Sequence, residues 1–199
     1  MFGIQMGAVI STTVGHKPEP VVIGDIADIQ EKIGGHFDCV TVECGNTDDG
    51  SKFQLVGYVH DEGRIMNPPL EMNLMASMIF NRELHGTCVI LSGTNPETSE
   101  DDGESYDLPS KFFTYLCETL TKEIEKSVMF TQMAASAMCM AERDNVITQE
   151  QCQLVVDTIN ELGTSAVAGT MDTIPSEVRD IMKTAMDYMV AQMMRGESE

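Results

Sequence analysis

The sequence predicts an α+β fold: a small, mainly antiparallel sheet with short helices over residues 1–95, followed by a helical region of about three helices over residues 108–199. Three observations carry this. Short apolar runs bounded by Gly, Asp and Asn fill the first half, as strands do. Longer segments with apolar residues at helical spacing fill the second. Between them "TNPETSEDDGESYD", residues 94–107, holds six acids and no base, the composition of a linker, placed at 96–107.

The elements follow in order. "MFGIQMGAVISTTV" is compatible with a first strand, and Val21–Ile23 with a second. In "DIADIQEKI" the isoleucines fall near helical spacing, with Asp25 as N-cap and Gly34-Gly35 as the stop. "HFDCVTVE" and "KFQLVGYVH" are strands joined at Asp49-Gly50, a hairpin signal. Pro68-Pro69 begins an irregular stretch, Asn73–Phe80 a short helix, and "HGTCVILSG" a buried strand. Beyond the linker, Phe112, Tyr115, Leu116, Leu120 and Ile124 form one stripe of a long helix reaching "AMCMAER". Thr148 and Gln151 occupy capping-box positions of the next helix, which Gly163 stops. In the last helix Ser176 suits the N-cap, and Val178, Ile181, Met182, Ala185, Met186, Met189, Val190 and Met193 make a single apolar face.

Composition narrows the function classes. The chain has 199 residues, 32 acids and 12 bases, a net charge of −20. Residues 1–95 contribute 12 acids and 5 bases (−7), 96–107 six acids (−6), and 108–199 14 acids and 7 bases (−7). Binding to nucleic acid relies on Lys and Arg neutralising phosphate, so direct contact with DNA, RNA or an anionic membrane is disfavoured. A basic partner surface is favoured. Apolar runs fall far short of the ~20 residues that span a bilayer. No basic-then-apolar leader opens the chain, so a cytoplasmic protein is expected. The six cysteines lie mostly within apolar runs and read as buried, reduced thiols.

Chemical motifs are sparse. A dinucleotide fingerprint needs strand, glycine turn, then helix, and Gly34-Gly35 has the reverse order. The pairs His36/Cys39 and His85/Cys88, with Cys44 and His60, suggest zinc, but residues three apart on a strand point to opposite faces. Asp48-Asp49-Gly50 and Asp101-Asp102-Gly103 lack the downstream Glu of an EF-hand, with Val56 and Pro109 in its place. No GxSxG, HExxH or HxE with CxxC occurs, and Cys139 reads as core. The expectation is therefore no enzyme, no catalytic residue, no metal and no cofactor.

The ordered set "EPVVIGDIADIQEKIGGHFDCVTV", "GYVHDEGRIMNPPLEMNLMAS" and "HGTCVILSG" resembles the DUF3846 domain family over about residues 15–95. Ile33, Gly34, Gly35, Asp61, Glu62, Gly63, Pro69, Asn73, Ala76, Gly86 and Ile90 occupy the positions of that pattern. The chain departs from it in its doubled proline and its long helical extension. The resemblance implies a source in bacteriophages or mobile elements, and no known activity or catalytic residue.

The functional expectation is an accessory protein, in the host-cell cytoplasm, that binds and inhibits a basic host or defence protein through an acidic surface. DNA mimicry is one version. Asp101, Asp102, Glu104 and Asp107 are the acidic candidates, and Met186, Met189 and Met193 the adaptable apolar ones. Two alternatives stand beside it. A small-ligand binder for nucleotide signals would need two or more of Lys17, Lys32, Lys52, Arg64 and Arg82 to converge on one cleft. A structural or assembly protein would use the C-terminal helices to form a homo-oligomer.

Overall fold

The computed structural model describes residues 4–45, 52–95, 98, 103–162 and 174–196. The fold is α+β, with an antiparallel five-stranded sheet and a C-terminal helical region. Two compact units divide the chain, Met1–Ile124 and Glu125–Glu199.

The first unit is built on strands β1 (Gln5–Ile10), β2 (Glu19–Ile23), β3 (Phe37–Gly45), β4 (Lys52–His60) and β5 (Cys88–Ser92), in the order β2-β1-β5-β4-β3. Every named pairing is antiparallel. β5 is buried along its whole length, as the centre of the sheet requires. Pro20 lies in β2, an edge strand, where a missing N–H breaks no ladder. The expected hairpin turn at Asp49-Gly50 lies outside the described residues, but Gly45 pairs with Lys52 across its ends.

Helix α1 (Ile26–Ile33) covers one face. Asp25 caps it reciprocally: its carboxylate accepts from the Asp28 amide at 3.1 Å while Asp28 accepts from the Asp25 amide at 3.2 Å. Gly34 closes it with φ of 81°, a conformation that a side chain disfavours. Ile29 and Ile33 pack there with Val21, Ile23, Val89 and Leu91. Phe37 and Tyr58 add an edge-to-face pair at 5.2 Å.

Helix α2 (Leu74–Phe80) brings Phe80 against the sheet, where Gly57 leaves the space: a Cβ there would lie 2.5 Å from the ring. Asn73 ties this side together. It is fully buried, and its Nδ2 donates to the carbonyls of Ile10 and Gly86, both at 2.9 Å. Its Oδ1 caps α2 by accepting from the Ala76 amide at 3.0 Å.

The unit does not stop at the expected linker. Tyr106 exchanges two backbone hydrogen bonds with Ser92 at 2.7 and 3.1 Å, and the Leu108 amide donates to Met6 at 2.7 Å. Helix α3 (Ser110–Tyr115) then runs into a π-helical turn (Leu116–Leu120) and on into α4 (Thr121–Arg143). The expected single long helix is thus interrupted. The Thr121 amide reaches back five residues to the Leu116 carbonyl, and its buried hydroxyl donates to the same oxygen at 2.8 Å. Leu116, Leu120 and Ile124 of the expected stripe are buried.

The second unit contains the rest of α4 with α5 (Gln149–Leu162) and α6 (Ser176–Gly196). Thr148 and Gln151 form the expected capping box at 3.2 and 2.9 Å. The start of α6 differs from expectation: Arg179 donates to Pro175, so Ser176 is already inside the helix. Gly163 lies outside the described residues. Ala134, Ala137, Met138, Ala141, Val155 and Met182 belong to the unit's core.

Candidate interaction surfaces

The acidic stretch 103–107 is anchored where it passes the sheet. Ser105 accepts from Gln5 Nε2 on its carbonyl, and its hydroxyl pairs with Tyr58 at 2.6 Å. Asp107 Oδ1 accepts from the Met6 amide at 2.7 Å, so this exposed carboxylate also holds the free end of β1. Glu104 is exposed beside it. Asp101 and Asp102 lie outside the described residues.

The three methionine candidates separate. Met189 is buried in the core of the second unit, and Met186 packs against that core. Met193 is 62% exposed. Val190, placed on the apolar face by its spacing, is 48% exposed. The face of α6 is therefore mostly core, and its exposed remainder is Val190 and Met193.

The cysteine expectation needs correction. Cys88 alone is buried; Cys39 and Cys139 are exposed, and Cys44, Cys117 and Cys152 are half-buried. Cys39 lies opposite Tyr58 across the β3–β4 ladder, yet Tyr58 is buried and Cys39 is exposed, because α1 packs chiefly over β2, β4 and β5. Cys139 faces away from the core stripe of α4. Desolvation nonetheless raises the thiol of Cys39, with the Asp38 charge adding to it, and raises Cys44 and Cys88 as well. Thiols held protonated are weak nucleophiles at neutral pH.

Two of the three histidines of the zinc reading, His60 and His85, have other duties. His60 packs on the backbone of Gly35, where a Cβ would meet its Nε2 at 2.4 Å. His85 lies between two acceptors, the Leu70 carbonyl at 2.8 Å and Glu83 at 2.9 Å. Among the described residues no group of three or more His, Cys, Asp or Glu could hold a metal ion. The Asp48-Asp49-Gly50 calcium reading lies outside the described residues, as does Asp101-Asp102.

Two bases named for a ligand cleft are engaged by acids: Lys52 with Glu43, and Arg64 with Glu83 at 3.7 Å. A recess of about 460 Å³ in the second unit is edged by Glu177 and Asp180, with Gln151, Ser176 and Thr184, and by no lysine or arginine.

No protein-family model and no curated protein matches the chain. The resemblance to the DUF3846 family therefore stands on the quoted residues alone. Among solved structures, the "Crystal structure of small RNA methyltransferase HEN1" is similar at 17% identity and a TM-score of 0.41. The match covers 59% of this chain and 16% of that one. It corrects the expectation that the chain is not an enzyme: the similar structure is an enzyme's, and that expectation is withdrawn. A likeness of this extent transfers no activity to the chain.

Proposed function

We propose that the protein works by binding: a phage or mobile-element accessory protein whose acidic surface occupies a basic surface of a host or defence protein in the host cytoplasm. The observation that carries this is the charge, 32 acids against 12 bases. Several bases are also spent on neighbouring acids, in the pairs Lys52–Glu43, Arg64–Glu83 and Arg143–Asp144. The surface field is thus dominated by carboxylates, which draw a basic partner at long range. No described helix is long and apolar enough to cross a membrane. Glu104 and Asp107 belong to this surface, with Asp101 and Asp102 beside them in sequence. A carboxylate-rich surface that replaces DNA phosphates is the specific form of the reading.

The test is capture of partners from host lysate on the tagged full chain at low and high salt, followed by competition of the purified partner with duplex DNA. A basic partner that is lost at high salt and displaced by DNA supports the reading. A partner held equally at both salts, or none at either, overturns it. The nucleotide-signal alternative draws no support from the engaged bases or from the base-free recess.

A further inference from the structure

Helix α4 carries a second stripe that the core of its own unit does not use. Its inward residues are Ala134, Ala137, Met138 and Ala141. Roughly opposite, at about 100° per residue, run Glu125, Met129, Gln132, Ser136, Cys139 and Arg143. Their spacing alternates four and three, the seam spacing of paired helices. All six are exposed, Met129 by 58%.

The charge pattern selects the occupant. Residues 127–141 of α4 contain no charged side chain, in a chain of net −20. A basic partner gains nothing from such a strip, whereas two like-charged copies can approach only where repulsion is absent. The stripe is also its own complement. In an antiparallel pair centred on Ala134, Glu125 meets Arg143, Met129 meets Cys139, and Gln132 meets Ser136. A long thioether then faces a small thiol at both ends. The Ser136 hydroxyl donates to its own Gln132 carbonyl at 2.9 Å, so its oxygen is oriented to accept from the other copy's Gln132 amide. Arg143 uses Nε and Nη2 on Asp144, at 2.9 and 3.1 Å, and a guanidinium has further donors for Glu125.

We propose that this outward seam of α4 is a homodimer contact, with a second copy of the chain packed antiparallel along it about a two-fold axis that passes between Gln132 and Ser136. The paired segment is about 27 Å long at 1.5 Å per residue. One helix pair makes an interface at the small end of specific contacts, so the dimer is reversible. The arrangement is isologous: the same residues serve both sides.

Sedimentation of the full chain tests the association, and cysteine crosslinking tests the geometry. The wild type sediments as a concentration-dependent dimer, and M129E, which places a charge in the seam, weakens the dimer about tenfold or more with unchanged circular dichroism. With the other exposed thiol removed by C39S, M129C yields under mild oxidation a covalent dimer that C139S abolishes, because on one helix the two positions are too far apart to bond. A wild type that stays monomeric at high micromolar concentration overturns the proposal. So does a covalent dimer in C39S/M129C/C139S, which would place the two Met129 positions together in a parallel pair, and so does C39S/M129C with no Cys139-dependent crosslink.

Discussion

The two units fill their cores by different means. The first fixes its core with directional contacts: Asn73 bonded on three sides in a buried site, a Phe80 ring seated on Gly57, and β5 enclosed at every residue. The second packs Met138, Met182 and Met189 among Ala134, Ala137, Ala141 and Ala185. Methionine adapts its shape, and alanine lets helices approach closely. A core of the first kind has one solution; a core of the second tolerates change. The difference is measurable substitution by substitution.

The largest expected effect is at Asn73. Asn73→Ala leaves the Ile10 and Gly86 carbonyls and the Ala76 amide unpaired in a buried site. Each such group costs about 1–3 kcal/mol, so a loss of about 3 kcal/mol or more is expected in the denaturant midpoint of the sheet signal. A loss below about 1 kcal/mol would mean that water replaces the side chain, and the comparison would break at its strongest point.

Gly57→Ala comes next. Its Cβ would lie 2.5 Å from Phe80 and 3.0 Å from Val40, an overpacking that costs about 1–3 kcal/mol. Adding Phe80→Leu should recover part of that loss, because the two positions share one space. Stability that falls additively in the double variant would show that the ring is not what fills the glycine's place.

Met182→Leu in the second unit should cost less, under about 1.5 kcal/mol, because volume is kept and the neighbours are pliable. Thermal melting of the helical signal reads it. A cost equal to that of Asn73→Ala would erase the distinction between the two cores.

These contrasts also mark what sequence reading reaches. The Asp25 cap and the Thr148–Gln151 box are local, and each appears where the residues place it. Asn73 was legible as a helix start and as part of a resemblance, but not as the tie between Ile10 and Gly86, whose carbonyls lie on distant segments. Cys39 was misread because periodicity gives two faces to a strand without saying how far α1 extends across the sheet. Cys139 was misread because an apolar helix was given one inward face without a direction. The π turn rests on a reach from Thr121 to Leu116 that no spacing rule marks. The anchoring of the acidic segment through Ser105 and Asp107 depends on Gln5 and Met6, a whole domain away in sequence, so its composition alone reads as linker. The candidate surface was legible only as charge, which sets the sign of a partner and not its footprint.

The smallest expected effect compares one exposed carboxylate from each unit. Glu83 is lowered by the hydrogen bond from His85 and by Arg64 nearby. Asp144 is lowered by the Arg143 guanidinium and then by the Tyr188 hydroxyl, which donates at 2.9 Å. A carboxylate whose pKa is lower in the folded state stabilises the fold above its ordinary value and loses that contribution as pH falls through the lowered one. Asp144→Asn and Glu83→Gln should therefore each be slightly less stable than the wild type at neutral pH. Each difference should close as pH falls below the ordinary values, 3.8 for Asp144 and 4.5 for Glu83. Both sites face solvent, so high salt should shrink both differences. If salt removes the Glu83 difference and spares that of Asp144, the Tyr188 hydroxyl is the stronger partner, because a neutral donor is not screened as a guanidinium is. The second unit would then contain one directional tie of the kind that organises the first.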